Sequence, residues 1–422
     1  MKKPDLPNSP KDEHLVPRED DPYAVLRNRN LVLYLLARFI ASFGQQMLTV
    51  AVGWELYERT HSALALGFVG LTQMIPMILF TLPAGHVADN FDRKKIILAM
   101  TSLSALASLG LTVVSFSQAP VGWFYLCLFV AGTARTFLWP ASAAFMPQLI
   151  SRELFPRAVT WNTGSFHLSA VAGPAASGAL LAATHNAAIV YVLNAMAAVG
   201  CFLLLVAVRY IRVAPKREEL SLSSLAAGFS FVFANRIVLG TITLDLFAVL
   251  LGGATALLPV YAKDILEAGP SGLGLLQAAF PAGSLISAGV LAHRPPMRRA
   301  GRALLWAVGA FGVATVAFGV SRLFWFSWLM LFTCGAVDNI SVVIRHTLVQ
   351  LLTPDEKRGR VSAVNSLFIG TSNELGGFES GFVAHFFGPI FSVVSGGIGT
   401  ILVVLAVAWV WPEIRKYGRL GG

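Results

Sequence analysis

Charge is what this chain has least of. Only 13% of its 422 residues are Asp, Glu, Lys or Arg, against about 25% in a typical soluble domain. With 55% hydrophobic residues and a mean hydropathy of +0.67, a water-soluble fold would lack the polar residues to cover its surface. Cysteine is also scarce. Cys127, Cys201 and Cys334 each fall inside an apolar run, which excludes a disulfide framework and a metal site and leaves small packing residues. No G-x-x-x-x-G-K-[ST] phosphate loop is present, which excludes a nucleotide-driven pump. Without H-E-x-x-H, a Cys/His cluster or a nucleophile elbow, the sequence points to no enzyme, no metal and no cofactor. The first 29 residues lack the apolar core of a cleaved signal peptide and read as a polar tail.

Long apolar runs are what the chain has instead. A membrane-spanning helix needs about 20 mostly apolar residues. Twelve stretches meet that requirement, at 31–57, 63–88, 96–116, 121–146, 158–183, 187–208, 237–261, 271–292, 303–320, 324–349, 361–386 and 388–410. Their many glycines and prolines would break soluble helices but are common in transmembrane ones. The fold class expected is an all-α membrane protein of twelve transmembrane helices.

The net charge of +10 sits in short clusters between the runs. With the N-terminus in the cytoplasm, 26 of the 32 Lys and Arg fall on the cytoplasmic side and three, Arg59, Lys263 and Arg322, on the other. That asymmetry predicts both termini in the cytoplasm and an even number of spans. The basic loops are too short and too close to the membrane for nucleic acid. The longest connection, 209–236, places Leu222, Leu225, Phe229 and Phe233 on one helical face, the pattern of an interfacial amphipathic helix.

The chain also repeats itself. At an offset of 203, Asn162 matches Asn365, Gly173 matches Gly376, Ser177 matches Ser380, Gly178 matches Gly381 and Gly132 matches Gly335. At 204, Gln73 matches Gln277 and Ala84-Gly85 matches Ala288-Gly289. Matches on corresponding spans imply a duplicated six-helix unit. The domains expected are a tail at 1–29, a six-helix bundle at 30–208, a linker at 209–236, a second bundle at 237–411 and a tail at 412–422. Duplicated transporters place their substrate site between the halves near the midplane.

The loop after the second run reads "GHVADNFDRKK". Gly85 permits close helix approach, Asp89 places an anion at the membrane surface, and Arg93 and Lys94 supply cations. The loop resembles the signature of the major facilitator superfamily, in which Gly85, Asp89, Arg93 and Lys94 match. Asn90 replaces a basic residue and Asp92 a glycine. The resemblance implies a cytoplasmic latch favouring the outward-open state. In the second half, "GVLAHRPPMRR" has His293 at the Asp89 position, so the latch there is degenerate. "LARFIASF", "ADNFDRKKIIL" and "LTPDEKRGRVSAVN" together resemble the branch that holds the enterobactin exporter and macrolide-efflux-like proteins. "AGPAASG", with Gly173, Pro174 and Gly178, resembles the G-P-x-x-G-G motif of proton-coupled antiporters, with Ser177 in place of a glycine. Small-residue helix packing is the competing reading of that segment.

Ionisable residues inside a bilayer cost about 2.5–3.5 kcal/mol each on insertion scales, so they are the site candidates. Arg38, Arg135, Asp245, Asp338, Arg345 and Glu374 lie within the runs, and Glu379 near the end of one. Asp338 is the repeat counterpart of Arg135, which suggests a charge pair across the two halves. Asp338 and Glu374 are the leading proton carriers, because an opposite charge lowers a carboxyl pKa and burial raises it. A static ion pair is the alternative for each. His167 is a candidate proton shuttle or a plain hydrogen-bond donor. Trp139 and Pro140, with Phe137, could line an aromatic cavity or simply pack.

The sequence therefore points to a monomeric, proton-coupled exporter (an antiporter in the bacterial-type inner membrane) whose partners are a small amphipathic substrate, protons and the lipid bilayer. A lysophospholipid or lipid-like transporter and a non-transporting sensor or scaffold are the rivals.

Overall fold

The computed structural model describes residues 23–210, 229–295, 297 and 299–418, and no strand occurs among them. Six long helices form the first half, α1 (Arg29–Thr60), α2 (Ala63–Asn90), α3 (Arg93–Phe116), α4 (Gly122–Phe145), α5 (Phe155–Thr184) and α6 (Ala187–Ala207). The second half holds α7 (Arg236–Leu251), α8 (Gly269–Ala292), α9 (Ala300–Val320), α10 (Phe324–Leu352), α11 (Asp355–Phe387) and α12 (Pro389–Val410), followed by a short helix at Pro412–Lys416. Side-chain oxygens cap several starts. Asn28, Asp92, Asn186 and Asn235 accept from the first free backbone N–H groups of α1, α3, α6 and α7, donors the helix itself cannot satisfy.

Eleven of the helices, counting α7 with the turns that extend it to Ile265, are long and apolar enough to cross a membrane. The twelfth, α11, is less apolar because it carries Ser372, Asn373, Glu374 and Glu379. It packs between α2 and α7, so much of its polar surface faces protein. The seventh run, expected as one helix over 237–261, is broken. After Leu251, Gly252 and Gly253 interrupt it, a 3-10 turn follows at Ala254–Leu257, and a π turn closes it at Tyr261–Ile265. The cause is local. A Cβ on Gly253 would lie 2.4 Å from the Gly376 oxygen, so α11 passes too close for a regular helix with side chains. Pro259 also has no N–H to offer.

The duplication appears as matched packing. In the first half α1 packs on α5 and α6, α2 on α4, and α3 on α4 and α6; in the second, α7 packs on α11 and α12, α8 on α10, and α9 on α10 and α12. The two six-helix bundles meet through α2 against α11 and α5 against α8, again a symmetric pair. Of the linker's apolar face, Leu222 and Leu225 lie outside the described residues. Phe229 packs edge-on to Phe368 of α11 at 6.0 Å, and Phe233 is exposed. The polar tail falls almost wholly outside the described residues, apart from a 3-10 turn at Ala24–Arg27.

The two faces of the bundle differ. One, here termed the basic face, carries the α2–α3, α4–α5, α8–α9 and α10–α11 connections. The far face carries the turns that follow α1, α3, α5, α7, α9 and α11. A single hydrophobic cluster at the far face runs through both halves, joining Leu48, Val52 and Leu56 to Leu257, Leu258, Tyr261 and Leu276. At the basic face the clusters are separate, one confined to the first half and two to the second. The halves are therefore sealed together at the far face and part toward the basic face, leaving a cleft between them.

Candidate functional site

The seal rests on two symmetric glycine crossings. A Cβ on Gly178 of α5 would lie 2.8 Å from the Gly274 Cα of α8, and one on Gly381 of α11 would lie 2.6 Å from the Gly67 Cα of α2. Only hydrogen at those positions lets the backbones meet. Gly178 and Gly381 are repeat counterparts, and their neighbours behave alike. Gly173 and Ser177 pack on α1, where Ser177 donates to the Met47 carbonyl at 2.8 Å, and Gly376 packs on α7. The Gly173–Gly178 segment thus has one side on its own bundle and one on the other.

Polar contacts reinforce the far face. Tyr57 donates to the Asp264 carboxylate, and Lys263 pairs with Glu58 at 3.2 Å. In the sequence Lys263 reads only as a loop cation. Its spacing does not show that the turn after α7 reaches the end of α1. Glu55 was missed too. It is buried, paired with Arg59 one turn on at 2.5 Å and hydrogen-bonded by Ser115 at 2.8 Å. Arg59 also donates to the Ala119 and Ser115 carbonyls, so this group ties α1 to the end of α3.

Beneath the seal, at mid-length, Arg135 of α4 pairs with Glu374 of α11. This is an ion pair between the two halves. Its position follows from the crossings, because the Glu374 carbonyl sits where a Cβ of Gly70 would be. That close approach brings α11 against α2, and α4 packs on α2 beside it. The Arg135 side chain is half exposed and so faces the cleft. Trp139, one turn nearer the basic face on the same side of α4, is 71% exposed and lines the same wall. Phe137 stacks at a tilt on Phe80 of α2.

The expected Arg135–Asp338 pair does not form. Glu374 takes the arginine, and the Asp338 carboxylate makes no hydrogen bond or ion pair among the described residues. Asp338 lies one turn from Cys334, whose thiol contacts Thr315 of α9 at 3.7 Å, so it is turned toward its own half. The neighbouring Asn339 amide nitrogen is buried without a partner among the described residues. Asp245 of α7 pairs instead with Arg345 of α10, both less than one-tenth exposed. A small pocket lies beside Arg345, lined by Thr241, His346, Asn365 and Ile369. Arg38 sits near Tyr34 and Cys201. His167 is half-buried against Phe166 and makes no hydrogen bond among the described residues. Glu379 accepts from Ser380 at 3.4 Å.

The two cations of the signature loop are satisfied within their own half. Arg93 donates to the Ala88 and Ala144 carbonyls, and Lys94 to those of Val206 and Val208. These carbonyls lie at the C-terminal ends of α2, α4 and α6, where partial negative charge accumulates. Asp92, at the family's glycine position, caps α3 and accepts from Tyr210 at 2.5 Å. Asn90 turns back on the His86 carbonyl at 3.0 Å. Among the described residues nothing lies within 4 Å of a Cβ on Gly85, so the close helix approach expected there does not occur in this state.

The model of the Major Facilitator Superfamily matches residues 34–377. The chain belongs to that superfamily. It is 27% identical over 391 residues to the enterobactin exporter EntS of Escherichia coli O1:K1, covering 90% of this chain and 92% of the relative. The same identity and coverage relate it to the enterobactin exporter EntS of Shigella boydii serotype 18. Among solved structures, the nucleoside transporter NupG superposes with a TM-score of 0.72 at 12% identity, covering 90% of this chain and all of that one. A POT family transporter in complex with a thioalcohol-conjugated peptide gives 0.73 at 13% identity, covering 92% and 97%. These structural likenesses establish the fold. The protein is a multi-pass membrane transporter of small molecules and not an enzyme.

Proposed function

We propose that this transporter is a proton-coupled exporter of amphipathic small molecules that works by alternating access, with the basic face in the cytoplasm of a bacterial-type inner membrane. The observation that carries the reading is the Arg135–Glu374 pair, which joins the halves at the closed end of a cleft open toward the basic face. A substrate arriving from the cytoplasm meets Trp139 first and the pair next. Protonation of Glu374, or an acceptor group on the substrate, releases Arg135 and with it one of the ties between the halves. Asp338, partly buried and without a charged partner among the described residues, is the second proton carrier in this scheme. The signature loop then serves as the cytoplasmic latch of the opposite state. The 27% identity to the enterobactin exporter EntS supports a siderophore or drug-like substrate class.

Proteoliposomes loaded with a panel of fluorescent amphipathic substrates, with and without an imposed pH gradient, test the reading. Wild-type flux is expected to follow the gradient. Glu374→Gln and Asp338→Asn are each expected to lower gradient-driven flux by about 5- to 150-fold, the usual span of a 1–3 kcal/mol coupling. Flux indifferent to the gradient, or unchanged in both variants, removes proton coupling through these residues.

A further inference from the structure

The two copies of the loop between the second and third helices of each half use their cations differently. In the first half Arg93 and Lys94 are spent on helix-end carbonyls. In the second half, His293 replaces the acidic residue and turns back on the Gly289 carbonyl at 2.8 Å. The side chains of Arg294, Arg299 and Arg302 are exposed and make no hydrogen bond or ion pair among the described residues. The C-terminal segment adds to them. Ile414 is fully buried in a notch between Gly240 of α7 and Gly301 of α9, and the Ala300 N–H donates to the Gly418 carbonyl at 3.0 Å. That docking brings Arg415 and Lys416, also exposed and without a partner among the described residues, beside the start of α9. Glu413 at this junction is engaged by Arg236 at 3.3 Å.

Two tryptophans set the depth of this patch. Trp306 follows Arg302 by one turn on the same face of α9 and is 79% exposed; Trp409, at the end of α12, is 84% exposed. The two helices pack against each other. Exposed tryptophans at the ends of spanning helices sit at the headgroup level of a bilayer. The cations beyond them, Arg302 one turn and Arg299 two turns outward from Trp306, and Arg415 and Lys416 past Trp409, then stand at the depth of lipid phosphates. We infer that the junction of the α8–α9 loop, the start of α9 and the docked C-terminal segment is a binding site for the headgroup of an anionic phospholipid. The phosphate bridges Arg299 and Arg302 to Arg415 and Lys416, and the acyl chains lie along α9 and α12 beside Trp306 and Trp409.

The test is native mass spectrometry of the full-length protein titrated with phosphatidylglycerol or phosphatidylcholine, paired with lipid-dependent thermal unfolding. Wild type is expected to retain phosphatidylglycerol and to be stabilised by it over phosphatidylcholine. Arg302→Gln/Arg415→Gln is expected to lower that preference by about fivefold for each cation removed. Lys95→Gln/Arg152→Gln, which removes the same charge from the first half's basic loops, should retain it. These are exposed side chains, so both double variants are expected to melt with wild type in detergent alone. Equal binding of the two lipids, equal loss in both double variants, or displacement of the lipid by millimolar inorganic phosphate would each overturn the assignment.

Discussion

Gly178→Leu is expected to open the far-face seal and stop transport. The Gly178 Cα faces Gly274 across the interface between the halves, and a Cβ there would lie 2.6 Å from the Pro270 oxygen. Neither neighbour is a flexible side-chain end, so the clash has to be relieved by moving one helix away from the other. Overpacking of this kind costs about 1–3 kcal/mol. The whole cost falls on the state in which α5 and α8 touch, so it shifts the population between states by about 5- to 150-fold. Spin labels on cysteines placed at Gln118 and Arg322, in the turns that follow α3 and α9, read the separation of the halves at the far face. Native cysteines would be replaced first. The distance is expected to lengthen in Gly178→Leu. Gly335→Ala supplies the contrast. Its Cβ would lie 1.9 Å from the Phe280 oxygen, a contact inside the second half, so it should lower stability without changing that distance. An unchanged distance distribution with flux intact in Gly178→Leu would mean that the crossing does not hold the seal.

Much of this interface was legible in the sequence, but only as a pattern. The offset that matches Gly178 to Gly381 and Gly173 to Gly376 identified positions that turned out to be equivalent crossings. The charge asymmetry of the loops matched the faces on which those loops lie. Partner identity was less accessible. Symmetry suggested that Arg135 meets its counterpart Asp338, yet an arginine side chain pairs with the carboxylate its backbone brings near. That neighbour is set by the α2–α11 crossing, which one-dimensional spacing does not encode. The break in the seventh helix was hidden for a similar reason. Gly252-Gly253 is tolerated inside many transmembrane helices, and only the passage of Gly376 beside it makes the interruption necessary. The far-face contacts of Tyr57 and Lys263 join turns 205 and 207 positions apart in sequence, and no local feature announces them. The signature loop shows the opposite case. Asp92 departs from the family pattern, and the departure has a local cause, because Asp92 caps α3.

The buried pair of Asp245 and Arg345 should separate stability from transport. Both residues are less than one-tenth exposed, and they tie α7 to α10 inside the second half. Removing one partner leaves an uncompensated charge in a low-dielectric interior, a cost of about 3–5 kcal/mol. Asp245→Ala and Arg345→Ala are each expected to lower the unfolding temperature strongly. Replacing both by apolar residues of similar volume, as in Asp245→Leu/Arg345→Met, is expected to recover most of the loss, because such exchanges are often neutral or stabilising. The double variant would then be strongly non-additive with the singles. Unfolding in detergent can be followed with a thiol-reactive dye, since Cys201 and Cys334 are buried and react only when the bundle opens. Arg135 and Glu374 should behave in reverse. Arg135 is half exposed to the cleft, so water screens the pair and its loss should cost no more than about 1 kcal/mol, while gradient-driven flux falls sharply. A pair that stabilises one half packs away from water, whereas a pair that must exchange partners during a transport cycle has to stay within reach of it. Additive losses at 245 and 345, or a collapse in stability on Glu374→Gln, would reverse that assignment of roles.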